Sequence, residues 1–212
     1  MISSKSLREG EYLDLLPEFY TLSEVTENNA WHDRQSVFEH VVKVLESLEI
    51  LLDLKFLEAT RAEWIARYLS ERIGQASRKD LLVLATVLHD IAKTDTLVRG
   101  KDGKTSCPGH ALIGAARVSR FAERLRLDSQ SARYVERIVR YHGLVSDILD
   151  LIIANNSREK YLRIFQETVG DVAVELILFM YADLLGSDLE EKDKRAFDER
   201  VRVLTWMLGV VF

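Results

Sequence analysis

The sequence is poor in the residues that build disulfide-rich, turn-rich or membrane-spanning proteins. Its 212 residues include one cysteine, two prolines and ten glycines, and aromatic residues make up only 8%. The single Cys107 excludes an internal disulfide framework and fits a reducing compartment. Few glycines, prolines and aromatic residues favour helices over many short strands and turns. No run approaches the roughly 20 apolar residues of a membrane helix, so we expect a cytoplasmic protein with no membrane contact.

The charge balance argues against a general nucleic-acid-binding protein. Hydrophobic residues make up 47% of the chain and charged residues 30%, with a net charge of −5. Because an acidic chain is repelled by a phosphate backbone, we expect no DNA partner. The length fits one domain. We predict a single domain over residues 1–212, with a core at about 30–190 and helical extensions at 1–30 and 190–212.

Apolar residues recur at helical spacing along most of the chain. Ser36 can cap a helix that carries Val37, Val41, Val44 and Leu48 on one face. Further helices are predicted at about 58–73, 81–93, 110–125, 129–142, 144–154, 158–168, 171–186 and 190–211, and residues 99–109 read as a polar, glycine-containing loop. The pattern predicts an all-α bundle of about eight or nine helices.

The most informative stretch is LLVLATVLHDIAK, which runs from Leu81 to Lys93. Its first eight residues carry no charge, and a helix that is hydrophobic on every side belongs in a core. His89 and Asp90 follow at the end of this run. A buried histidine and carboxylate must be hydrogen-bonded, paired or bound to metal, because unsatisfied burial would cost several kcal/mol.

Four other predicted helices place a polar residue on an apolar face: His40, His110, His142 and Asp183. One buried histidine or aspartate is usually a satisfied structural residue. Five helices that all direct histidine or aspartate into one core favour a metal site instead. Imidazole and carboxylate together suit divalent Fe, Mn, Mg, Ni or Zn, which the ligand types do not distinguish.

The spacing suggests how one or two ions would be held. His40, His89, Asp90 and Asp183 would form one ligand set with open positions for water and substrate. His110 and His142 would hold a second ion, with Asp90 bridging, or would contact phosphate directly. Two metals roughly 3.5–4 Å apart lower the pKa of a shared water and clamp phosphoryl oxygens.

The ordered ligand set resembles that of the HD superfamily of metal-dependent phosphohydrolases. The local sequence is closer still to the HD domain of bacterial tRNA nucleotidyltransferases, the CCA-adding enzymes. The matching elements, within about residues 12–190, are Leu15-Leu16-Pro17-Glu18, Asn28 to His32, Val37-Phe38-Glu39-His40, Leu88-His89-Asp90-Ile91-Ala92-Lys93 and Gly109-His110 with Gly114-Ala115. The nucleotide-adding head is absent, so nucleotide addition is not expected. The resemblance implies phosphomonoesterase or phosphodiesterase activity on a nucleotide, cyclic nucleotide or RNA end, using a metal-activated water.

Several cationic residues are candidates for phosphate contact. Lys93 would stabilise charge on the phosphate, or would be an ordinary solvated lysine at a helix end. Lys101 and Lys104 could close over a bound phosphate, or belong to a soluble loop. His32 would brace a ligand or bind phosphate, or be a surface or capping histidine.

Seven arginines lie between residues 117 and 140. Arg140 shares a face with Arg133 and Arg137, and this face could receive an RNA end or a polyphosphate. The alternative is a solvated helix face held by salt bridges.

Two other functions use the same residues. The ligand set would also suit a di-iron HD oxygenase. The arginine-rich face would suit a catalytically inert tRNA- or nucleotide-binding module. The apolar C-terminal segment, VRVLTWMLGVVF, would pack on the N-terminal helices or form a homodimer contact.

Overall fold

Helices dominate the computed structural model, which describes residues 2–155 and 157–211. Within these residues the α-helices are α1 (Ser4–Arg8), α2 (Pro17–Tyr20), α3 (Val37–Leu51), α4 (Ala59–Ser70), α5 (Arg78–Leu88), α6 (Lys93–Thr96), α7 (His110–Arg124), α8 (Ser129–Tyr141), α9 (Leu144–Asn155), α10 (Arg158–Val169), α11 (Ala173–Gly186), α12 (Leu189–Lys192) and α13 (Lys194–Val210). The prediction of an all-α bundle is confirmed. The helices number more than expected because α1, α2, α6 and α12 are pieces of five residues or fewer, too short to show a periodicity.

Three short antiparallel hairpins interrupt the helices. They pair β1 (Thr26–Asn28) with β2 (Asp33–Ser36), β3 (Arg72–Ile73) with β4 (Ala76–Ser77), and β5 (Val98–Arg99) with β6 (Thr105–Ser106). The polar loop predicted at 99–109 therefore contains a short hairpin, because β5 and β6 pair across residues 98–106. The backbone N–H of Asn28 donates to Thr105 Oγ1 over 2.7 Å, which links β1 to β6.

The buried side chains form one continuous cluster around α3, α5, α8 and α11. Every residue from Leu81 to Leu88 is buried, as the apolar run predicts. Helices α3 and α11 approach so closely that a Cβ on Gly186 would lie 2.9 Å from the backbone nitrogen of Val44. Since these two helices carry His40 and Asp183, glycine at this crossing sets how close the two side chains can come.

The central helix is shorter than the sequence indicates. A continuous helix from Leu81 to Lys93 was expected, but α5 ends at Leu88 and a turn connects it to α6. The ring Nδ1 of His89 donates to the carbonyl oxygen of Thr86 over 2.7 Å. In a continuing helix that carbonyl would accept from the backbone N–H of Asp90, so a side chain replaces the backbone donor and the helix stops.

Helix ends near the site are capped by side chains. Ser36 Oγ accepts from the backbone N–H of Glu39 over 3.2 Å at the start of α3. Asp128 Oδ1 accepts from Gln130 and Ser131 N–H groups over 2.9 and 3.0 Å at the start of α8. The Ser36 cap lies where the sequence predicts it. Within residues 2–155 and 157–211, no helix combines the length and hydrophobicity of a bilayer span.

Candidate metal centre

One cavity of about 210 Å³ gathers most of the predicted site residues. Of those residues it is lined by His32, His40, His89, Asp90, Lys93, His110, His142 and Asp183. Lys101, Lys104 and Arg140 are not among the lining residues. Side chains from four helices and three connecting segments therefore share one small space.

His40, His89 and Asp183 form the first donor group. Each offers a ligand atom within 4.8 Å of the other two. His40 Nε2 lies 3.0 Å from Asp183 Oδ1, a contact made between α3 and α11. His40 and His89 are buried, whereas the carboxylate of Asp183 is 23% exposed toward the cavity.

Asp90, His110 and His142 form the second donor group, within the same 4.8 Å limit. His110 Nε2 lies 3.0 Å from His142 Nε2 and 3.4 Å from Asp90 Oδ1. The other carboxylate oxygen, Asp90 Oδ2, faces His89 Nε2 at 3.0 Å. Asp90 thus presents one oxygen to each group.

Three of the rings are oriented by the backbone that precedes them. The Nδ1 atoms of His89, His110 and His142 lie 2.7 Å from the carbonyl oxygens of Thr86, Cys107 and Val139, three residues earlier in each case. A carbonyl can only accept, so Nδ1 carries the proton and Nε2 presents a lone pair to the cavity. Such backing of the far ring nitrogen is the usual arrangement for metal-bound histidine.

Packing reinforces this orientation. The ring of Phe179 meets the rings of His89 and His142 edge to face, at centroid distances of 4.8 and 5.6 Å. The five imidazoles themselves form a row of edge-to-face contacts in the order His32, His40, His89, His142 and His110.

The donor chemistry fits one or two divalent metal ions. Two imidazole lone pairs 3.0 Å apart, as in His110 and His142, repel unless a proton or a cation lies between them. Donors bound to one ion at roughly 2.0–2.1 Å stand about 2.9–3.4 Å apart, which matches the His40–Asp183, His110–His142 and His110–Asp90 distances. His89 Nε2 and Asp90 Oδ2 are also buried without a well-aligned hydrogen bond, as expected of atoms shaped for a ligand.

The protonation states agree with this fit. Burial lowers the pKa of His142 to about 3, so the ring is neutral at pH 7. Burial alone would raise the pKa of Asp90, but His89 and Lys93 more than offset it, and the net shift is well below the usual value. Burial likewise opposes ionisation of Asp183, and the hydrogen bond to His40 reverses that effect, which lowers its pKa. Burial opposes protonation of His89, but Asp90 more than offsets it and raises the pKa of that ring. The neutral His142 ring and the two ionised carboxylates are in the forms that bind metal.

Lys93 and His32 are both buried, which rules out the alternatives of a solvated lysine and a surface histidine. Lys93 Nζ lies 2.8 Å from Asp90 Oδ2 and 2.6 Å from Glu27 Oε2. The His32 ring packs 4.4 Å from that of His40 and its Nδ1 lies 3.2 Å from Gln35 Oε1. Burial and the neighbouring His40 lower the pKa of His32 to about 4.

The remaining predicted residues lie away from the cavity for identifiable reasons. Arg140 pairs with Glu136 on its own helix, with 2.6 Å between Nη2 and Oε1. Lys104 Nζ lies 3.5 Å from Asn28 Oδ1 beside the β5–β6 hairpin, and Lys101 is exposed at its tip. Four further arginines of the 117–140 segment contact acids: Arg117 with Asp95, Arg120 and Arg124 with Glu18, and Arg137 with Asp171.

Some cavity residues were not predicted from the sequence: Glu27, Asn29, Trp31, Gly143, Ser146 and Met180. Glu27 is the most consequential, because it is 3% exposed and contacts Lys93. It sits on a three-residue strand, which is too short to show a periodicity. The only local signal would have been its position just ahead of Trp31 and His32.

Comparison with known proteins identifies the class. A family model described as HD domain matches residues 37–205. The chain therefore belongs to the HD domain family, the predicted superfamily of metal-dependent phosphohydrolases, and is by class an HD-type phosphohydrolase. The match to the family model begins at residue 37, so it does not include the β1–β2 hairpin that contributes Glu27.

Curated relatives add some information to the family assignment. Proteins named bifunctional uridylyltransferase/uridylyl-removing enzyme from Bordetella pertussis, Bordetella parapertussis and Bordetella bronchiseptica are each 30% identical over 188 residues. The match covers 85% of this chain but 19% of each relative, so the chain spans about a fifth of their length. These matches support the HD superfamily and give no support to the narrower resemblance to CCA-adding enzymes.

Proposed function

We propose that this protein is a metal-dependent phosphohydrolase that cleaves a phosphomonoester or phosphodiester with water. The observation that carries the proposal is the pair of donor groups on one cavity, His40–His89–Asp183 and Asp90–His110–His142. Asp90 presents an oxygen to each of them. That arrangement is what a bridging ligand between two ions requires.

The proposed ligands are divided as in the two donor groups. A divalent metal pair, when bound, lowers the pKa of water toward neutrality and stabilises negative charge on phosphoryl oxygens. His40, His89 and Asp183 would hold one ion, and His110 and His142 the second, with Asp90 shared. No side-chain nucleophile is needed, and the lining residues include no serine or cysteine paired with a free base.

Charge explains why substrate binding should depend on metal. Three carboxylates, Glu27, Asp90 and Asp183, and one ammonium, Lys93, give the cavity a charge of −2 when its histidines are neutral. Such a cavity repels phosphate. Two divalent cations reverse the balance to about +2, which attracts the phosphoryl group and the charge that develops on it. We therefore expect apoprotein to bind phosphorylated compounds weakly.

The substrate is proposed to be a nucleotide, a cyclic nucleotide or an RNA end. The uridylyl-removing activity in the relatives' name supports a nucleotidyl phosphoester. The cavity of about 210 Å³ is smaller than typical pockets for whole ligands, roughly 300–1,000 Å³. It would thus enclose the phosphoryl group and leave much of the substrate at the mouth.

The direct test compares Asp90→Ala with the wild type in metal content and hydrolysis. Chelated protein would be reloaded with Mn, Fe, Ni, Zn or Mg and assayed on monoesters, diesters, 2′,3′-cyclic nucleotides and dinucleoside polyphosphates. We expect the variant to lose bound metal and at least about 100-fold in activity, since groups that merely support a ligand cost roughly 10- to 100-fold. Asp14→Ala, at an exposed position, is the matched control.

Other outcomes would select other functions. Full activity and metal content in Asp90→Ala would contradict the proposed mechanism. Iron-dependent oxygen uptake without phosphate release would support a di-iron oxygenase. Strongly salt-dependent RNA binding without hydrolysis would support an inert binding module, although five of the seven arginines considered for that role contact acidic residues.

A further inference from the structure

Glu27 is a buried carboxylate to which the proposed mechanism assigns no role. It lies on β1, where it is 3% exposed although its strand neighbours Thr26 and Asn28 are only partly buried. The strand therefore turns a carboxylate, rather than an apolar side chain, toward the interior. Burying a carboxylate is costly unless it is paired, so its partners define what it does.

The partners of Glu27 lead to the candidate metal centre. Its Oε2 lies 2.6 Å from Lys93 Nζ and 3.8 Å from His32 Nε2. Its Oε1 has more distant contacts, 3.4 Å from Asn29 Nδ2 and 3.9 Å from Cys107 Sγ. Since Lys93 Nζ also lies 2.8 Å from Asp90 Oδ2, a carboxylate–ammonium–carboxylate bridge connects the hairpin to Asp90.

This bridge affects how well Asp90 can bind a cation. An ammonium held by Asp90 alone would neutralise that carboxylate and compete directly with metal. When Glu27 takes one of the ammonium's hydrogen bonds, the positive charge is divided between two carboxylates, and Asp90 retains more of its negative charge. The bridge also fixes the rotamer of Lys93, which is 7% exposed. It therefore fixes the direction from which the ammonium contacts Asp90 Oδ2.

We propose that Glu27 is a positioning residue that acts through Lys93 to keep Asp90 available as a metal ligand. The inference rests on the proposed function, because it requires Asp90 to bind metal. It also assigns Lys93 to tuning Asp90 rather than to gripping phosphate, since its ammonium is already engaged by two carboxylates. The β1–β2 hairpin then belongs to the metal site, although it precedes the matched HD region.

The test measures Mn²⁺ affinity of chelated protein by competition with a chromogenic chelator. We expect Glu27→Gln to weaken Mn²⁺ binding about 10- to 100-fold, the range for groups that support a ligand. Glu24→Gln makes the same change at an exposed position three residues away and should leave affinity unchanged. Urea unfolding of each chelated variant shows that the fold is retained.

If Glu27 acts through Lys93, the effect of Glu27→Gln on Mn²⁺ affinity should require Lys93, whereas a general structural effect should not. In a Lys93→Met background, the link to Asp90 is absent, so adding Glu27→Gln should change Mn²⁺ affinity by less than about 3-fold. An equal loss in both backgrounds would overturn the inference, as would a Glu27→Gln chain that binds like Glu24→Gln. If the Lys93→Met chain does not fold, the test uses Glu27→Asp instead. Because aspartate keeps the negative charge, Glu27→Asp should lose less Mn²⁺ affinity than Glu27→Gln. An equal loss of affinity in the two variants would overturn the inference.

Failure of the proposed function gives a different result. A folded wild-type chain that binds no Mn²⁺, Zn²⁺ or Fe²⁺ would overturn both the metal centre and the role of Glu27. A wild-type chain that binds metal, with Glu27→Gln unchanged, would overturn only the role of Glu27.

Discussion

Replacing Glu175 with glutamine should change how the stability of this protein depends on pH. Glu175 lies on α11 and its side chain is fully buried. Tyr134 Oη donates to Glu175 Oε1 over 2.5 Å, and Arg78 Nη1 lies 3.4 Å from the same oxygen. The charged groups around Arg78 also include Glu71 and Asp171. This cluster joins α5, α8 and α11, which position four of the proposed ligands.

The sign of the effect follows from the pKa of Glu175. Burial raises that pKa from 4.5 to about 7, although Tyr134 and Arg78 oppose the shift. The folded protein therefore holds this proton more tightly than the unfolded chain does. Its contribution to stability is complete below the unfolded pKa and is lost as the pH rises through about 7. A shift of this size corresponds to about 2.5 kcal/mol lost between pH 5 and pH 8.

Glutamine keeps the shape and the acceptor for Tyr134 but does not titrate. The free energy of unfolding of Glu175→Gln, minus that of the wild type, should therefore rise by about 2.5 kcal/mol from pH 5 to pH 8. Urea unfolding followed by circular dichroism, on chelated protein at both pH values, measures this difference. Taking a difference removes the contributions of all groups that the two chains share.

Glu167→Gln provides the matched control, because Glu167 is exposed on α10. Its stability difference from the wild type should stay constant with pH. A Glu175→Gln difference that is also constant would refute the reasoning. So would a difference that falls from pH 5 to pH 8, because it would mean that Arg78 outweighs burial and holds Glu175 ionised.

Two further predictions concern packing and metal. Gly186→Ala should lower the free energy of unfolding by about 1–3 kcal/mol, because the new methyl group would lie 2.8 Å from Val44 Cγ2; urea unfolding checks this, and an unchanged midpoint would contradict the close approach of α3 and α11. Removing metal should lower the melting temperature by roughly 5–10 °C relative to protein at a metal concentration about 100 times Kd. Calorimetry with and without chelator measures that shift, and identical curves would count against a metal-binding centre.

The sequence predicts those parts of the candidate site whose residues follow a periodic pattern within one helix. His40, His142 and Asp183 are visible because each continues the apolar stripe of its own helix. His89 and Asp90 are visible because they interrupt an uncharged run. Each of these signals lies within a few turns of one helix, and helical spacing is enough to detect it.

The parts that were not foreseen depend on contacts between distant segments. Lys93 meets Glu27 across 66 positions of sequence, and Arg124 meets Glu18 across 106. No pattern within either segment reports such a pairing. Arg140 differs, because its partner Glu136 lies only four residues earlier, and the pair realises the alternative of a helix face held by salt bridges.

The early end of α5 was missed for a different reason. Residue preferences over Leu81–Lys93 all permit a helix, and at the observed end of α5 the Nδ1 atom of His89 bonds the carbonyl of Thr86. Competition between side-chain and backbone donors for one carbonyl depends on burial, which propensity does not contain.

The contacts of His89, His110 and His142 with carbonyls three residues earlier restrict which residues this centre can accept. Each carbonyl lies at a helix end or turn and faces the ring at 2.7 Å. A carboxylate at any of the three positions would place one acceptor against another. At positions 89 and 142 it would also remove the side-chain donor from the carbonyl oxygens of Thr86 and Val139. An ammonium has donors but no lone pair. An amide has both, but not on opposite sides of one rigid ring as imidazole does.

These three positions therefore favour imidazole by local backbone geometry, whichever ion is bound. The backbone conformation at three helix ends thus keeps three nitrogen donors facing the cavity, and the oxygen ligands that single substitutions would introduce at these positions lack the ring N–H that faces each carbonyl.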